Sequence, residues 1–249
     1  MLLSVAIIAR DEERHIGAAL ASIGNLAAEI VVLLDPRTRD RTAEICAQAG
    51  ARVVEAMFES FPAQRNRALA ECRGEWVLFL DADERVTPNL QHEIRQLLQG
   101  QSSHVGYWIP RFNRYWGRAL RGGGWYPDYQ LRLLQRSKAQ YDTTRLVHEL
   151  VILDGSEGQL TQHLEHINIE SWAELREKQQ RYAQAEAATL YRNGVRVKPQ
   201  NYILQPLRAI WRRYITWGGY RDGWLGMLLA LVLGWYEFKM YLALAKHGA

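Results

Sequence analysis

The chain has 249 residues, enough for one large domain or for a catalytic domain with an appendage. Apolar residues make up 48% and charged residues 23%, which excludes a disordered chain. The chain has two cysteines, Cys46 and Cys72, which exclude a disulfide framework or a paired CxxC metal site and indicate a reducing compartment. The net charge of +4 is too small and too scattered to indicate nucleic-acid binding, although it suits anionic substrates or anionic lipid.

Short apolar runs alternate with helical patterns over the first hundred residues. The runs of strand length are residues 2–9, 30–34, 52–55 and 76–80. The first run has no basic leader region, so it is predicted to be a buried strand and not a secretory signal. Helices are predicted around residues 16–23, over 40–49, from Pro62 with Gly74 as a left-handed cap, and from Pro88 after an N-capping Thr87.

This alternation is typical of a parallel sheet that is covered on both faces by helices. Ligands of such sheets bind beyond the carboxyl ends of the strands. The polar clusters that follow Ala9, Leu34 and Leu80 are therefore predicted to line one crevice. The pattern favours an α/β nucleotide-binding domain, but it does not identify a reaction.

The segment Asp81-Ala82-Asp83-Glu84 follows directly on the fourth predicted strand. Two carboxylates separated by one residue in extended chain point to the same side, roughly 6–7 Å apart at the backbone. Mg²⁺ and Mn²⁺ prefer oxygen ligands and reach proteins through one or two carboxylates plus substrate phosphates. Such an ion would neutralise charge on a departing nucleotide diphosphate. The alternative is an acidic turn that caps the next helix, but the position at the end of a buried strand favours the metal site.

Three further polar clusters each leave two interpretations open. Asp35 ends the second strand, and Asp40 lies near the next helix, where carboxylates accept hydrogen bonds from a ribose or a base; Asp40 alone is more simply a helix N-cap. Arg65, in a Gln-Arg-Asn segment of a predicted helix, is either a phosphate contact or ordinary helix surface. The segment from Ala9 to Glu13, after the first strand, carries the same ambiguity.

In this order the clusters resemble the family-two inverting glycosyltransferases, which have the GT-A fold. The motifs are Arg10-Asp11-Glu12, Asp35-x-x-Thr38-x-Asp40-x-Thr42, Gln64-Arg65-Asn66, and Trp76 to Glu84. Later segments are similar to the subgroup that contains the lipopolysaccharide-core β-glucosyltransferases: Gly122 to Leu133, Val147-His148-Glu149, and Asp222-Gly223-Trp224-x-Gly226. The resemblance implies an α/β GT-A (Rossmann-like), mostly parallel sheet flanked by helices over residues 1–168, with a C-terminal helical, membrane-associating extension over 169–249.

The resemblance also implies a reaction and a donor site. The enzyme would transfer a hexose, with inversion, from a nucleotide-diphosphate sugar (a UDP-sugar is expected) to a lipid-linked or lipopolysaccharide-like glycan acceptor, with Mg²⁺ or Mn²⁺ as cofactor. The nucleoside pocket would consist of Glu12 and Asp35, supported by Ala9, Asp40 and Arg65. Asp83 would be the principal metal ligand, and Asp81 would hold the ribose or the metal. Many relatives carry Asn near Arg10-Asp11 and small residues at Pro36-Arg37, which leaves the donor sugar open.

Inverting transfer needs one general base to deprotonate the acceptor hydroxyl. Asp128, in a predicted loop before a strand over 130–134, and Glu149 are the two candidates. Asp128 is favoured because its glycine-rich approach suits a loop that moves over the donor. His148 is either a further metal ligand or a structural histidine. The run Gly122-Gly123-Gly124 is either a phosphate cradle or a hinge.

The C-terminal third is predicted to be helical and to contact membrane. Ser171 and Glu174 form a capping box, and Asn193-Gly194 is a stop signal. After Pro206, apolar and aromatic residues fall on one helical face and arginines on the other, as in interfacial helices. The apolar run 223–236 is shorter than a span, so attachment at the cytoplasmic membrane face is predicted to be peripheral or monotopic. The alternative is a core helix or an oligomer interface.

Two function classes follow from these patterns. One is the glycosyltransferase described above, acting at the inner face of the cell membrane. The other is a nucleotide-binding module without transfer activity, which the C-terminal helices recruit to membrane. They differ in whether Asp83 and a general base are needed.

Overall fold

The computed structural model describes residues 2–100, 102–144 and 150–247. It divides into two compact units. The first consists of Met1–Arg111 with Tyr129–His166, and the second of Phe112–Asp128 with Ile167–Ala249. The segment Phe112–Asp128 thus belongs with the C-terminal helices, although the sequence groups it naturally with the first 168 residues.

The elements alternate over the first hundred residues as predicted. The strands are β1 (Leu3–Ala9), β2 (Glu29–Leu34), β3 (Arg52–Glu55), β4 (Trp76–Phe79), β5 (Glu84–Val86), β6 (Gly106–Tyr115), β7 (Arg118–Ala119), β8 (Asp128–Gln135), β9 (Ala139–Tyr141), β10 (Val151–Leu153), β11 (Glu157–Gln159) and β12 (Leu164–Ile169). The helices are α1 (Ile16–Ile23), α2 (Thr42–Gln48), α3 (Phe61–Glu71), α4 (Pro88–Gln99), α5 (Trp172–Arg192), α6 (Asn201–Trp211) and α7 (Gly223–His247).

The main sheet has the strand order β3-β2-β1-β4-β8-β6-β12-β5. The first four of these are parallel, and β8 and β5 then pair antiparallel with β4 and β12. The sheet is therefore mixed, with the predicted parallel half intact. In the register of β1 and β2, Ala9 lies opposite Leu34, so the loops that follow these strands begin at the same edge.

The core of the first unit lies on both faces of the sheet. Along β1, Val5 and Ile7 join one apolar cluster with α1 and α4, and Ala6 joins the other cluster with α3. This alternation is what a strand that is buried on both faces requires. Helix α4 begins where predicted, after Thr87, and α3 begins one residue before the predicted Pro62. Ser60 and Thr87 each accept a hydrogen bond from a backbone N–H group of the first turn.

The prediction that Gly74 closes α3 in a left-handed cap is wrong. The helix ends at Glu71, and Cys72 is already extended. Gly74 instead permits a close approach to β1: its N–H donates to Ser4 Oγ at 2.8 Å, and a Cβ here would lie 2.5 Å from the same oxygen. A larger residue has no room, so the glycine serves packing between strands.

The second unit is built around α7. Ser171 caps α5 as predicted, and Gly194 follows its end with a φ of 78°. Helix α6 begins ahead of Pro206, which lies inside it, and a π-helical turn over Arg212–Thr216 continues it. Gly234 of α7 lets α6 come close, since a Cβ there would lie 2.5 Å from Ile210 Cγ1.

Helix α7 is longer than the fourteen-residue apolar run suggests, because it continues through Glu237 and Lys239 to His247. Among the described residues, one helical segment, Gly219–His247, is long and apolar enough to cross a membrane by length and composition. Within its apolar window, 44% is buried against the rest of the structure. A core helix of a soluble protein meets the same criterion.

Candidate active site

A cleft of about 280 Å³ opens beyond the carboxyl ends of β1 and β2. Its lining combines acidic, basic and aromatic side chains: Ile8, Ala9, Arg10, Glu12, Leu33, Asp35, Ala56, Phe58, Phe61 and Gln64. The structure thus brings together Ala9, Glu12 and Asp35 from the predicted nucleoside pocket. The rings of Phe58 and Phe61 lie 5.0 Å apart, edge to face, and form an aromatic wall. The cleft has the size and lining of a site for a nucleoside.

Asp35 is held as an anion at the mouth of this cleft. Its carboxylate is buried and accepts two hydrogen bonds from the Arg37 side chain, from Nε to Oδ1 at 2.8 Å and from Nη2 to Oδ2 at 2.5 Å. The backbone N–H of Arg37 also donates to Oδ1. These bonds to Arg37 hold the pKa of Asp35 well below its usual range. An ionised carboxylate with further lone pairs is a suitable acceptor for sugar hydroxyls.

Glu12 has the opposite electrostatic environment. Burial, together with the negative charges of Asp83, Asp40 and Asp81, raises its pKa from 4.5 to about 7. Its position is fixed by a hydrogen bond from its own backbone N–H to Thr42 Oγ1 at 2.8 Å. Several carboxylates therefore share one region at the edge of the sheet, and a cation bound there would relieve their repulsion.

Asp40 ties two loops together and does not line the cleft. Its Oδ2 accepts the backbone N–H of Glu13 at 2.9 Å, and its Oδ1 accepts that of Thr42 at 3.0 Å. Asp11 adds a parallel link, since its Oδ1 accepts the N–H of Arg39 at 2.7 Å. Asp11 adopts a φ of 54°, which is rare for a residue with a side chain. Asp40 is not the N-cap of α2, which is Arg41, but it accepts the N–H of Thr42, the first residue of that helix.

Asp81, whose side chain is partly exposed, is the centre of a network of ion pairs with two buried arginines. Arg65 Nη2 lies 3.1 Å from Asp81 Oδ1, and Arg132 contacts both oxygens of the same carboxylate. Burial alone would raise the pKa of Asp81, but the positive charges of Arg132 and Arg65 outweigh it and hold that pKa far below its usual range. Both oxygens of Asp81 are engaged by these arginines, so the first carboxylate of the motif fixes the turn.

Glu84 completes this network from the end of the motif. It is fully buried, its Oε1 accepts from Arg132 at 2.9 Å and from Arg111 at 3.2 Å, and its Oε2 accepts the backbone N–H of Asp81. The turn from Asp81 to Glu84 is therefore held at both ends. Nothing in the local pattern predicted Arg111 or Arg132, because their partners are distant in sequence.

Asp83 faces a histidine that the sequence did not single out. Nε2 of His166, on β12, lies 3.2 Å from Oδ2 of Asp83, and strand pairing sets His166 opposite Glu84. Asp83 is partly exposed and His166 is largely buried. The Asp83 carboxylate is the kind of oxygen ligand that Mn²⁺ or Mg²⁺ prefers when phosphate and water supply further ligands, and His166 places a nitrogen donor beside it. Within the described ranges no group of three or more His, Cys, Asp or Glu side chains is gathered as a metal site, so the fit depends on substrate oxygens.

Asp128 is the first residue of β8 and not part of the loop before it. It belongs to the second unit, where Asn113 Nδ2 donates to Trp125 O at 2.8 Å and contacts Asp128 Oδ2 at 3.3 Å. Asn113 is buried, and its Oδ1 accepts from Asn168 Nδ2 at 2.8 Å. The amide of Asn113 is thereby oriented with its nitrogen towards Asp128. The other predicted base, Glu149, and the predicted metal ligand His148 lie outside the described residues.

The glycine run 122–124 is packed against the backbone of the C-terminal segment. The Asp222 carboxylate accepts the N–H groups of Arg121 at 2.7 Å and Gly122 at 2.9 Å, and the N–H of Gly123 donates to Trp217 O. A Cβ on Gly122 would lie 2.0 Å from the carbonyl oxygen of Gly218. These N–H groups are already bonded within the chain and so are not available to cradle a phosphate, and the close approach at Gly122 shows that the run serves packing.

A sequence profile identifies the class of protein that this fold and site define. The profile of glycosyl transferase family 2 matches residues 4–152, and the chain belongs to that family. Its sheet is the mixed, helix-flanked sheet of a GT-A-like glycosyltransferase, as predicted.

Individual relatives are more distant. The chain is 28% identical over 247 residues to the lipopolysaccharide core biosynthesis glycosyltransferase LpsC of Rhizobium meliloti (strain 1021). This alignment covers 95% of this chain and 89% of LpsC. It is 33% identical over 150 residues to a TPR repeat-containing protein of Synechococcus elongatus, of which it spans only 35%.

Solved structures give weaker likenesses. Glucosyl-3-phosphoglycerate synthase of Mycobacterium tuberculosis, in complex with Mn²⁺, UDP and glucosyl-3-phosphoglycerate, aligns with a TM-score of 0.49 and 20% identity, over 79% of this chain and 81% of that one. Staphylococcus aureus TarS 1–349 in complex with UDP also has a TM-score of 0.49, at 15% identity over 100% and 91% of the two chains.

Proposed function

We propose that this glycosyltransferase transfers a hexose from a UDP-sugar, with inversion, to a lipid-linked or lipopolysaccharide-type glycan at the cytoplasmic face of the membrane. The observation that carries the proposal is the contact between Asp83 and His166. Asp83 also lies near the nucleoside cleft, because its charge contributes to the raised pKa of Glu12, which lines that cleft. The similarity to LpsC along nearly its whole length supports the acceptor class.

In this proposal the cleft binds the uridine. The wall formed by Phe58 and Phe61 packs against the base, and the ionised carboxylate of Asp35 accepts hydrogen bonds from the ribose hydroxyls. Glu12, in the loop after β1, lines the same cleft. In this proposal Asp81 anchors the turn through its ion pairs with Arg65 and Arg132 and is not a metal ligand.

Asp83 and His166 hold the divalent ion in this proposal, together with the donor diphosphate. A bound ion of this kind neutralises charge that develops on the departing UDP. Asp128 takes the proton from the acceptor hydroxyl, the acceptor oxygen bonds to the anomeric carbon, and the bond from that carbon to the diphosphate breaks. Glu149 is the alternative base. Direct displacement of this kind inverts the anomeric configuration.

The test is a transfer assay with purified chain, Mn²⁺ and a set of UDP-hexoses, using lipopolysaccharide-core oligosaccharide as acceptor. Release of UDP together with a β-linked product from an α-linked donor, read by NMR of the anomeric proton, is the expected result. An α-linked product contradicts inversion. Donor binding without either acceptor transfer or donor hydrolysis, across the whole set, selects the non-catalytic nucleotide-binding module instead.

A further inference from the structure

Helix α7 carries an apolar stripe that is exposed to solvent along most of its length. The stripe consists of side chains at helical spacing: Trp224, Met227, Leu231, Trp235 and Leu242. Trp224 is 67% exposed and Trp235 is 55% exposed. The helix rises roughly 27 Å between the first and last of these residues. The opposite face of α7 already has its core, since Leu225 and Leu229 pack in one cluster and Met240 and Leu244 in another.

Helix α6 extends this apolar surface on one side. It runs antiparallel to α7, with Tyr202 beside Phe238 and Ile210 beside Gly234. Its exposed apolar residues are Ile203, Leu204, Leu207 and Trp211, and Ile215 of the π-helical turn that follows is also exposed. A cleft of about 670 Å³, lined by residues that include Leu207, Trp211 and Met227, joins the two helices. The exposed apolar residues of α6 and α7, here called the α6–α7 face, therefore form one surface.

Two further clefts border the same face. One, of about 470 Å³, lies between α5 and α7 and is lined by Trp172, Leu231 and Trp235 among others. The other, of about 370 Å³, lies at the start of α7 beside Trp224. Single apolar side chains on a surface are ordinary, but a continuous patch of this kind indicates an interaction site.

The charged residues that line the three clefts of the α6–α7 face are basic with one exception. The arginines that line the three clefts are Arg118, Arg121, Arg176, Arg208 and Arg221. Among all the lining residues the one acid is Asp222, and its carboxylate is occupied by two backbone N–H groups. The Arg118 guanidinium lies 5.8 Å from the Trp224 ring, and Lys239 Nζ lies 5.8 Å from the Trp235 ring. Tryptophan beside a long basic side chain is the composition of a helix at a lipid interface.

The two charges that interrupt the apolar run of α7 leave this stripe intact. Helical spacing sets Glu237 on another side of the helix. Lys239 extends its ammonium over the Trp235 ring, at the edge of the stripe. The stripe therefore presents only apolar and basic groups, although the run reads as broken in the linear sequence.

We infer that the α6–α7 face lies flat on an anionic phospholipid surface, with α6 and α7 parallel to the membrane plane. The stripe enters the boundary between headgroups and acyl chains, and the arginines contact lipid phosphates. A span is disfavoured because the other face of α7 is committed to α5 and α6. A second copy of the chain fits this face less well than lipid does. It would bring the five cleft arginines of one copy against the five of the other, and each set includes only one acid, Asp222, whose carboxylate already accepts two backbone N–H groups. The inference deepens the membrane side of the proposed function, but its test does not involve sugar transfer.

The experiment is flotation of the full chain with vesicles of phosphatidylcholine alone or mixed with phosphatidylglycerol. The wild type is expected to float with the mixed vesicles more than with the neutral ones. The double substitution Trp224→Gln and Trp235→Gln should lower the bound fraction at least roughly tenfold, since two large apolar side chains leave the lipid. Ile152→Gln, which alters a side chain of the same 55% exposure in the first unit, should leave binding unchanged.

A second pair of variants tests the charge. Arg118→Gln with Arg221→Gln should abolish the preference for anionic vesicles, and Arg73→Gln should keep it. Unfolding temperature and UDP binding, measured on every variant, separate loss of lipid contact from misfolding or from failure of the donor site. Equal binding to both vesicle types by the wild type, full binding by the double tryptophan variant, or a concentration-dependent dimer without vesicle binding would each overturn the inference.

Discussion

Nε2 of His166 lies 3.2 Å from Oδ2 of Asp83, although 83 positions separate the two residues along the chain. Antiparallel pairing of β12 with β5 produces this contact, because it sets His166 opposite Glu84, the residue after Asp83. The second carboxylate of the Asp81-Ala82-Asp83 motif thus has a nitrogen partner, and the first has two arginines. In the proposed function the second carboxylate is the metal ligand and the first anchors the turn.

The anchor can be tested through stability. Glu84→Gln removes a fully buried charge and leaves Arg132 and Arg111 without one of their partners. The free energy of unfolding should fall by about 3–5 kcal/mol, as is usual when one partner of a buried ion pair is lost. Urea denaturation checks this, with Glu55→Gln, at an exposed position of the same unit, as the control. A loss no larger than that of the control would contradict the network.

Glu12 should make stability depend on pH. Its pKa is raised from 4.5 to about 7 in the folded chain, so the folded state binds more protons than the unfolded state between these values. The free energy of unfolding contributed by Glu12 therefore falls as pH rises through that window. Glu12→Gln removes the effect and should gain on the order of 2 kcal/mol relative to wild type between pH 4.5 and pH 8. Denaturation curves at several pH values measure the difference in free energy of unfolding between Glu12→Gln and wild type. A difference that does not change with pH would contradict the raised pKa of Glu12.

The glycine at position 122 should be irreplaceable. A Cβ there would lie 2.0 Å from Gly218 O and 2.9 Å from Gly219 N, so it would meet backbone atoms and not the end of a flexible side chain. Gly122→Ala is expected to cost about 2–3 kcal/mol or more of stability through overpacking. Gly100→Ala, where the nearest atom is 3.7 Å from the added Cβ, should be nearly neutral. Thermal unfolding compares the two, and equal melting temperatures would show that the run tolerates side chains.

The choice of base is testable by kinetics. If Asp128 deprotonates the acceptor, Asp128→Asn should lower kcat by about 10²–10⁴-fold while UDP-sugar binding is retained. Glu149→Gln is the matched variant for the other candidate. Single-turnover transfer and donor titration together give the answer. Retention of full kcat in Asp128→Asn, with loss in Glu149→Gln, would reverse the assignment.

Local signals in the sequence predicted much of the fold. Apolar runs predicted β1 to β4. The caps Ser171 and Thr87, with Pro88 after Thr87, predicted where α5 and α4 begin, because these features depend on neighbouring residues. Gly74 misled because its small size serves contact with Ser4, seventy residues away. His166, Arg132 and Arg111 could not be predicted either, because their partners lie far away along the chain. Residues that become neighbours only through sheet pairing leave no periodic signal.

The central claim is that Asp83 and His166 hold the divalent ion of a UDP-sugar transferase. The most direct measurement is the affinity for UDP with and without Mn²⁺, by calorimetry, in wild type, Asp83→Asn and His166→Ala. The exposed residues Asp154 and His92 supply matched controls, Asp154→Asn and His92→Ala. Mn²⁺ is expected to strengthen UDP binding in wild type and in both controls, and the enhancement should disappear in Asp83→Asn and His166→Ala. The same enhancement in all five proteins would contradict the account.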